Sequence, residues 1–234
     1  NKITGQTILS GMGELHLEII ESRMRKDMKA QFKTGPVTIA FQEAFVEGFK
    51  EFKKVFEIDK EIYGIKLKGS VIVKISEAPE SIEIKGNFDR SVEESVIDAV
   101  NCAFGRGPIG GHRVQRNCKI VIENLQFSTS NSAHVVVYEA LQSLLQEAAG
   151  SGAIILQEPL VKVEIESPEQ FIGDLMKDLF SVRRCVECEN LGNGRIFASA
   201  PLRKMLGYSS WLRSKTGGMA SFTMEASNYT NFIE

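Results

Sequence analysis

Leu160-Val161-Lys162-Val163-Glu164-Ile165-Glu166, followed at once by Ser167-Pro168-Glu169, is the stretch that decides the fold. From Val161 onward apolar and polar residues alternate, the two-residue period of a strand with one buried face. Ser167, Pro168 and Glu169 then supply an N-cap, a first helical residue and an acidic first turn. The helix they open carries Phe171, Leu175 and Leu179 on one face and is expected to reach about Arg184. Two short strands flank the turn Asn190-Leu191-Gly192-Asn193-Gly194. Pro201 opens a second helix through Leu202, Met205 and Leu206, whose spacing marks them as core. Ser221-Phe222-Thr223-Met224 closes with a strand. The order β-α-β-β-α-β is that of a ferredoxin-like domain, placed at 158–234.

Working back along the chain, residues 37–157 form a second unit. Ile65 to Ile75 alternates as a half-buried strand. A helix is expected at about 89–104, with Asp89 or Ser91 as cap and Val92, Val96, Ile97 and Val100 as its buried stripe. Gly105-Arg106-Gly107-Pro108 ends it. A further strand runs through Lys119-Ile120-Val121-Ile122, and a second helix fills about 132–149 until Gly150-Ser151-Gly152. Residues 1–36 hold less. Residues 5–10, 14–29 and roughly 36–45 read strand, helix, strand, too little for a closed core. In this helix Leu15, Ile19 and Met24 beside Leu17, Ile20 and Met28 make a broad apolar stripe. The fold class expected is therefore α+β in three parts, the first truncated. The start, Asn1-Lys2-Ile3-Thr4, reads as the beginning of a piece of a longer protein.

At 234 residues and 43% hydrophobic content the chain has ample material for packed cores. No run approaches 18 apolar residues, so no membrane partner is expected. Cys102, Cys118, Cys185 and Cys188 suit a reducing compartment. Cys185-x-x-Cys188 lacks the second ligand pair that a zinc site needs, and His112 and His134 are remote in sequence, so these cysteines read as structural. Glu14, His16 and Glu18 stand two apart and point to different helix faces, a poor metal set.

The net charge of −2 hides an uneven distribution. Residues 1–36 carry six basic and four acidic side chains, 37–158 thirteen and seventeen, and 159–234 nine of each. Two stretches contain no acid at all. Between Asp98 and Glu123 the only charges are Arg106, Arg113, Arg116 and Lys119. Between Glu189 and Glu225 they are Arg195, Arg203, Lys204, Arg213 and Lys215. Local positive fields of this kind attract a phosphate backbone even on a protein that is acidic overall. Arg106, Arg113, Arg116, Lys119, Arg203, Lys204, Arg213 and Lys215 are thus the candidate RNA contacts.

Four segments carry a family resemblance, in order along nearly the whole chain. Gly11-Met12-Gly13-Glu14-Leu15-His16-Leu17-Glu18 resembles domain III of elongation factor G, the translational GTPase. Phe104-Gly105-Arg106-Gly107-Pro108-Ile109-Gly110-Gly111-His112-Arg113-Val114 is similar to the glycine–proline motif of its domain IV. Leu156-Gln157-Glu158-Pro159-Leu160 resembles the start of domain V, as does Pro201-Leu202-Arg203-Lys204-Met205-Leu206-Gly207-Tyr208-Ser209 with Leu212-Arg213-Ser214-Lys215-Thr216 its interior. The resemblance implies a truncated βαβ of domain III at 1–36. It also implies a ribosomal-protein-like domain IV with a left-handed βαβ crossover at 37–157, and a ferredoxin-like domain V at 158–234. It further implies a monomer that binds the ribosome, with GTP and Mg held by an N-terminal domain outside this chain.

Two departures from the family pattern bear on activity. Translocating members carry a glycine-rich loop at the tip of domain IV. The matching stretch here, Phe56-Glu57-Ile58-Asp59-Lys60-Glu61-Ile62-Tyr63-Gly64, is acidic, with Glu57, Asp59 and Glu61 opposed only by Lys60. A second tip loop presents a histidine in translocases. Here Phe127-Ser128-Thr129-Ser130-Asn131 takes that place, and His134 falls inside the following helix. Both losses resemble the mitochondrial, ribosome-recycling branch of the family, which works with the recycling factor in the mitochondrial matrix. A translocating factor, of bacterial cytoplasm or otherwise, is the second reading, and an RNA-binding module with no GTPase parent the third. No catalytic, cofactor or metal residue is assigned, because the chain holds neither G-x-x-x-x-G-K-[ST] nor Asn-Lys-x-Asp.

Overall fold

The structure is a computed structural model that describes residues 7, 9, 11, 14–62 and 65–232. The fold is α+β. The chain divides into two units, one of residues 1–40 with 158–230 and the other of 41–157 with 231–234. No helix among the described residues is long and apolar enough to cross a membrane.

The second unit is built on the sheet β2 (Phe52–Ile62), β3 (Ile65–Ser76), β6 (Lys119–Phe127) and β4 (Ser81–Ile84), in that spatial order. β2, β3 and β6 are antiparallel neighbours, whereas β4 lies parallel to β6. Helix α2 (Arg90–Phe104) makes the crossover between the two parallel strands. Asp89 is the N-cap of α2, its carboxylate accepting the Val92 N–H. Val92, Val96, Ala99, Val100 and Ala103 form the buried stripe, while Ile97 is on the exposed side. Helix α3 (Ser130–Gly150) packs beside it and buries Val136, Val137, Leu141, Leu144 and Leu145. Gln142 of α3 donates to the carbonyls of Ala103 and Arg106, so the end of α2 is satisfied from its neighbour. A small ribbon completes the unit. β1 (Gln42–Phe45) lies between β5 (Val114–Gln115), to which it is parallel, and residues 154–157 of β7 (Ile154–Glu166).

Residues 158–230 are ferredoxin-like. After β7 come α4 (Glu169–Ser181), β8 (Glu187–Gly192), β9 (Arg195–Pro201), α5 (Leu202–Met205), α6 (Tyr208–Thr216) and β10 (Ser221–Asn231). The strand order β10-β7-β9-β8 places the first and third strands centrally. Val161, Val163 and Ile165 point into a core with Ile172, Leu175, Leu179, Ile196 and Leu212.

Several expectations need correction. Residues 36–41 are not strand, and pairing begins only at Gln42. Helix α1 (Glu14–Lys26) stops before Met28, and Ile19 and Met28 are exposed. The strand expected at 5–10 falls largely outside the described residues, and Thr7 and Leu9 are not strand. Pro168, not Ser167, caps α4, and Glu169 instead accepts the Gly194 N–H at 2.9 Å. Of the three apolar residues after Pro201 only Met205 is buried. The chain leaves the helix at Leu206, and Gly207 turns at φ 70° before α6.

One buried polar atom is left over. Tyr208 is 1% exposed, and its hydroxyl has no hydrogen-bond partner among the described residues. Its ring does the packing, against Trp211 and Phe222 and under the Arg183 guanidinium. Tyr208→Phe should therefore raise stability by about 1 kcal/mol, since it removes a desolvated group and keeps the ring. A fall in the urea midpoint would show that the hydroxyl is bonded in solution.

Candidate nucleic-acid interface

The two acid-free stretches are acid-free only in sequence. The fold brings carboxylates from elsewhere onto four of the eight candidate cations. Arg116 meets Glu80 at 3.0 Å and also donates to Asn101 at 2.7 Å. Lys119 meets Glu83 at 2.6 Å, and this contact holds the Glu83 carboxyl below its ordinary value. The cause is the parallel register of β4 on β6, which sets Ser81 against Lys119 and brings Glu83, the one acid of β4, beside Lys119, the one cation of β6. Lys74 and Lys85 likewise converge on Glu123, each at 2.7 Å, and hold its carboxyl down at about 2.

In the ferredoxin-like unit Lys215 pairs with Asp174 at 2.8 Å. Arg203 is a different kind of residue from the one expected. Its guanidinium makes a two-pronged contact, at 3.1 and 3.2 Å, with the carboxylate of Glu158, which is 2% exposed. That geometry is structural, the fork neutralising a buried charge. Arg106, Arg113, Lys204 and Arg213 remain without an ion pair among the described residues. Arg106, Arg113 and Arg213 are exposed, and Lys204 is half-buried.

Arg106 and Arg113 sit on one loop, and its geometry explains the motif from Phe104 to Val114. The loop wraps around Glu43, a fully buried residue of β1. The Glu43 carboxylate accepts backbone N–H groups from Ile109 at 3.1 Å, Gly110 at 3.0 Å and His112 at 3.2 Å. The Gly107 N–H donates to the His112 carbonyl at 2.6 Å, and Gly111 donates back to Gly107 at 3.1 Å. A Cβ at Gly107 would collide with the Glu43 carboxylate, so the glycine is required by close approach. The two arginines are thereby presented outward from a tight, carboxylate-centred turn. Glu43 was not a sequence candidate. The only signal was an acid within the otherwise strand-like Phe41-Gln42-Glu43-Ala44-Phe45.

The tip stretch also differs from its expected form. Glu57, Asp59, Lys60 and Glu61 belong to the regular strand β2, not to a loop, because Ile58 is a buried core residue and fixes the alternation. Tyr63 lies outside the described residues. The antiparallel register places Lys68 opposite Asp59 and Lys66 opposite Glu61. Asp59 and Lys68 pair at 3.3 Å, both well exposed. Asp59 is thus countered from β3, a partner that the local sequence does not reveal. The Ser128 N–H donates to the Lys68 carbonyl at 3.1 Å, which ties the second tip segment to β3, the strand that pairs with the first. Thr129 is the N-cap of α3 in a reciprocal capping box with Ser132, and Ser130 and Asn131 are already helical.

Cys185 and Cys188 pack against the ferredoxin-like core, and burial pushes both thiols up, Cys188 to about 12. Cys118, fully buried in the second unit, is likewise pushed up to about 12. None of the three is a ready thiolate.

Residues 155–233 match the family described as "Elongation factor G C-terminus", and residues 1–36 match "Elongation Factor G, domain III". The chain belongs to the elongation factor G family. A relative from Danio rerio, "Ribosome-releasing factor 2, mitochondrial", is 30% identical over 239 residues, which cover 97% of this chain and 31% of that protein. Elongation factor G of Thermotoga neapolitana is also 30% identical, over 100% of this chain and 35% of its own length. The chain thus spans about a third of the length of the curated relatives it matches. A crystal structure of a Thermus thermophilus protein superimposes with a TM-score of 0.70 at 23% identity, over 95% of this chain and 34% of that one, and so shares the fold.

Proposed function

We propose that this chain is the ribosome-binding part of a translational GTPase that promotes mitochondrial ribosome recycling, splitting the subunits after termination. GTP and Mg belong to a part of the parent protein outside this chain, and no residue here is assigned to them. The partners are ribosomal RNA and proteins and the recycling factor, the parent acts as a monomer, and the compartment is the mitochondrial matrix.

The observation that carries this reading is the turn between β6 and α3. Where the family resemblance expects a histidine in translocating members, the chain has Ser128, whose hydroxyl lies 3.3 Å from that of Ser132. Thr129 and Ser132 hydroxyls satisfy one another's backbone N–H groups. The polar atoms of this turn hold the helix start, which leaves it ill-suited to gripping RNA. A translocating factor remains the second reading, and one feature favours it: Lys68 offsets Asp59, so electrostatic repulsion at the tip is weaker than the sequence suggests.

The test is the parent protein in a subunit-splitting assay with the recycling factor and GTP, run beside a translocation assay on mitochondrial ribosomes. Splitting without translocation is the expected result, and charge reversal of Glu57 and Asp59 should impair splitting without creating translocation. Robust translocation by the unaltered protein overturns the proposal in favour of the second reading.

Ribosome binding makes its own prediction. Arg106→Ala and Arg113→Ala should each lower the salt slope of binding by about one unit, the loss of one phosphate contact. Lys119→Ala should do less, because Glu83 already neutralises that cation. Equal effects from all three would show that intramolecular pairing does not govern which cations reach RNA.

A further inference from the structure

We propose that Asp98, Cys102 and His134 form a binding site for a thiophilic divalent cation, zinc by preference, on the paired helices of the second unit. Asp98 and Cys102 stand one turn apart on α2, so both side chains leave the same face of the helix. His134 comes from the early part of α3, which packs on α2.

The three donor atoms all lie within 4.8 Å of one another. His134 Nε2 is 3.3 Å from Asp98 Oδ2, and Cys102 Sγ is 4.0 Å from that same oxygen. Zinc bonds of roughly 2.0–2.3 Å in a tetrahedron put neighbouring donors about 3.3–3.8 Å apart. The observed separations, 3.3 and 4.0 Å to Asp98 and none above 4.8 Å, are close to these values. Tyr138 stacks on the His134 ring at 6.3 Å between centroids and 11° between planes, which steadies the imidazole.

Carboxylate, thiolate and imidazole are a mixed set that calcium and magnesium do not choose and that zinc accepts. A plain Asp98–His134 contact accounts for two of the groups. The Cys102 thiol is directed at the same carboxylate oxygen, so all three donors face one point. The Asp98 side chain is 69% exposed, so water completes the fourth position. On binding, the Cys102 thiol gives its proton to solvent and the sulfur lone pair goes to the metal, with no change of oxidation state. The bound ion would tie α2 to α3.

The experiment is titration of the full chain with zinc alone by calorimetry, together with cobalt(II) substitution read by absorption. One ion per chain, a thiolate-to-cobalt charge-transfer band and a rise in the unfolding temperature of the second unit are expected. Cys102→Ser should abolish the band, and His134→Gln and Asp98→Asn should each weaken zinc by about tenfold or more. Cys185→Ser with Cys188→Ser should leave binding intact. The proposal is overturned by the lack of a thiolate band in the unaltered chain. It is also overturned if zinc affinity survives Cys102→Ser or is lost with the Cys185 and Cys188 pair. The cobalt spectrum of the unaltered chain decides even if a variant fails to fold.

Discussion

Arg203→Ala should cost the ferredoxin-like unit about 3–5 kcal/mol, enough to threaten its folding. The reason lies in Glu158, 2% exposed, whose two oxygens are met by two nitrogens of the Arg203 fork. Removing the guanidinium leaves a carboxylate buried without a counter-charge, and that penalty far exceeds the modest net worth of the pair itself. Arg203→Lys should fall between, because an ammonium restores charge but not the two-pronged geometry. A double change of Arg203→Ala with Glu158→Leu should recover much of the loss, as no orphan charge remains. Urea unfolding of the four proteins measures this, and a loss below about 1 kcal/mol in Arg203→Ala would refute the structural role. The consequence for function is direct. If the chain binds the ribosome as proposed, neutralising Arg203, Lys204, Arg213 and Lys215 together would weaken that binding through unfolding, so the informative binding variants are those of Lys204 and Arg213.

The ferredoxin-like unit was legible because each of its signals is local. Alternation in Val161 to Glu166, the Ser167-Pro168-Glu169 start and the glycine-rich turn at 190–194 each fix one element, and six elements in that order admit few arrangements. The helix from 89 to 104 was equally plain, with its Asp89 cap and apolar stripe. Charge pairing was not legible. Whether Lys119 is free depends on β4 lying parallel to β6, a fact about two strands separated by a helix. The reading of residues 56–64 as a loop failed over 56–62, the part that the structure describes, for a related reason. Family likeness suggested a loop there, while the period of Phe56, Ile58 and Ile62 already matched a strand. Cysteine spacing could not reveal the other group of donor atoms. Cys185-x-x-Cys188 drew notice as a motif, yet the metal-like geometry is at Asp98, Cys102 and His134, which only helix packing assembles.

Glu43→Ala should destabilise the second unit by about 2–4 kcal/mol and release the loop that carries Arg106 and Arg113. Three backbone N–H groups lose a charged acceptor, and the buried space they surrounded loses its side chain. Glu43→Gln should cost less, because one oxygen and the packing remain, although an amide cannot accept from both directions. Hydrogen exchange at Ile109, Gly110 and His112 should quicken in both variants while the helices α2 and α3 stay protected. Gly107→Ala supplies the complementary half of a double-mutant cycle. Its Cβ meets the Glu43 carboxylate, so it should be costly in the unaltered chain and much cheaper once Glu43 is alanine. Additive costs would mean that the glycine serves backbone conformation alone. If the loop presents cations to RNA phosphates, Glu43→Ala should also weaken ribosome binding at a temperature where the unit remains folded. The salt slope should then fall as it does in the Arg106→Ala, Arg113→Ala double variant, because a carboxylate that touches no RNA would be acting through the two arginines it positions.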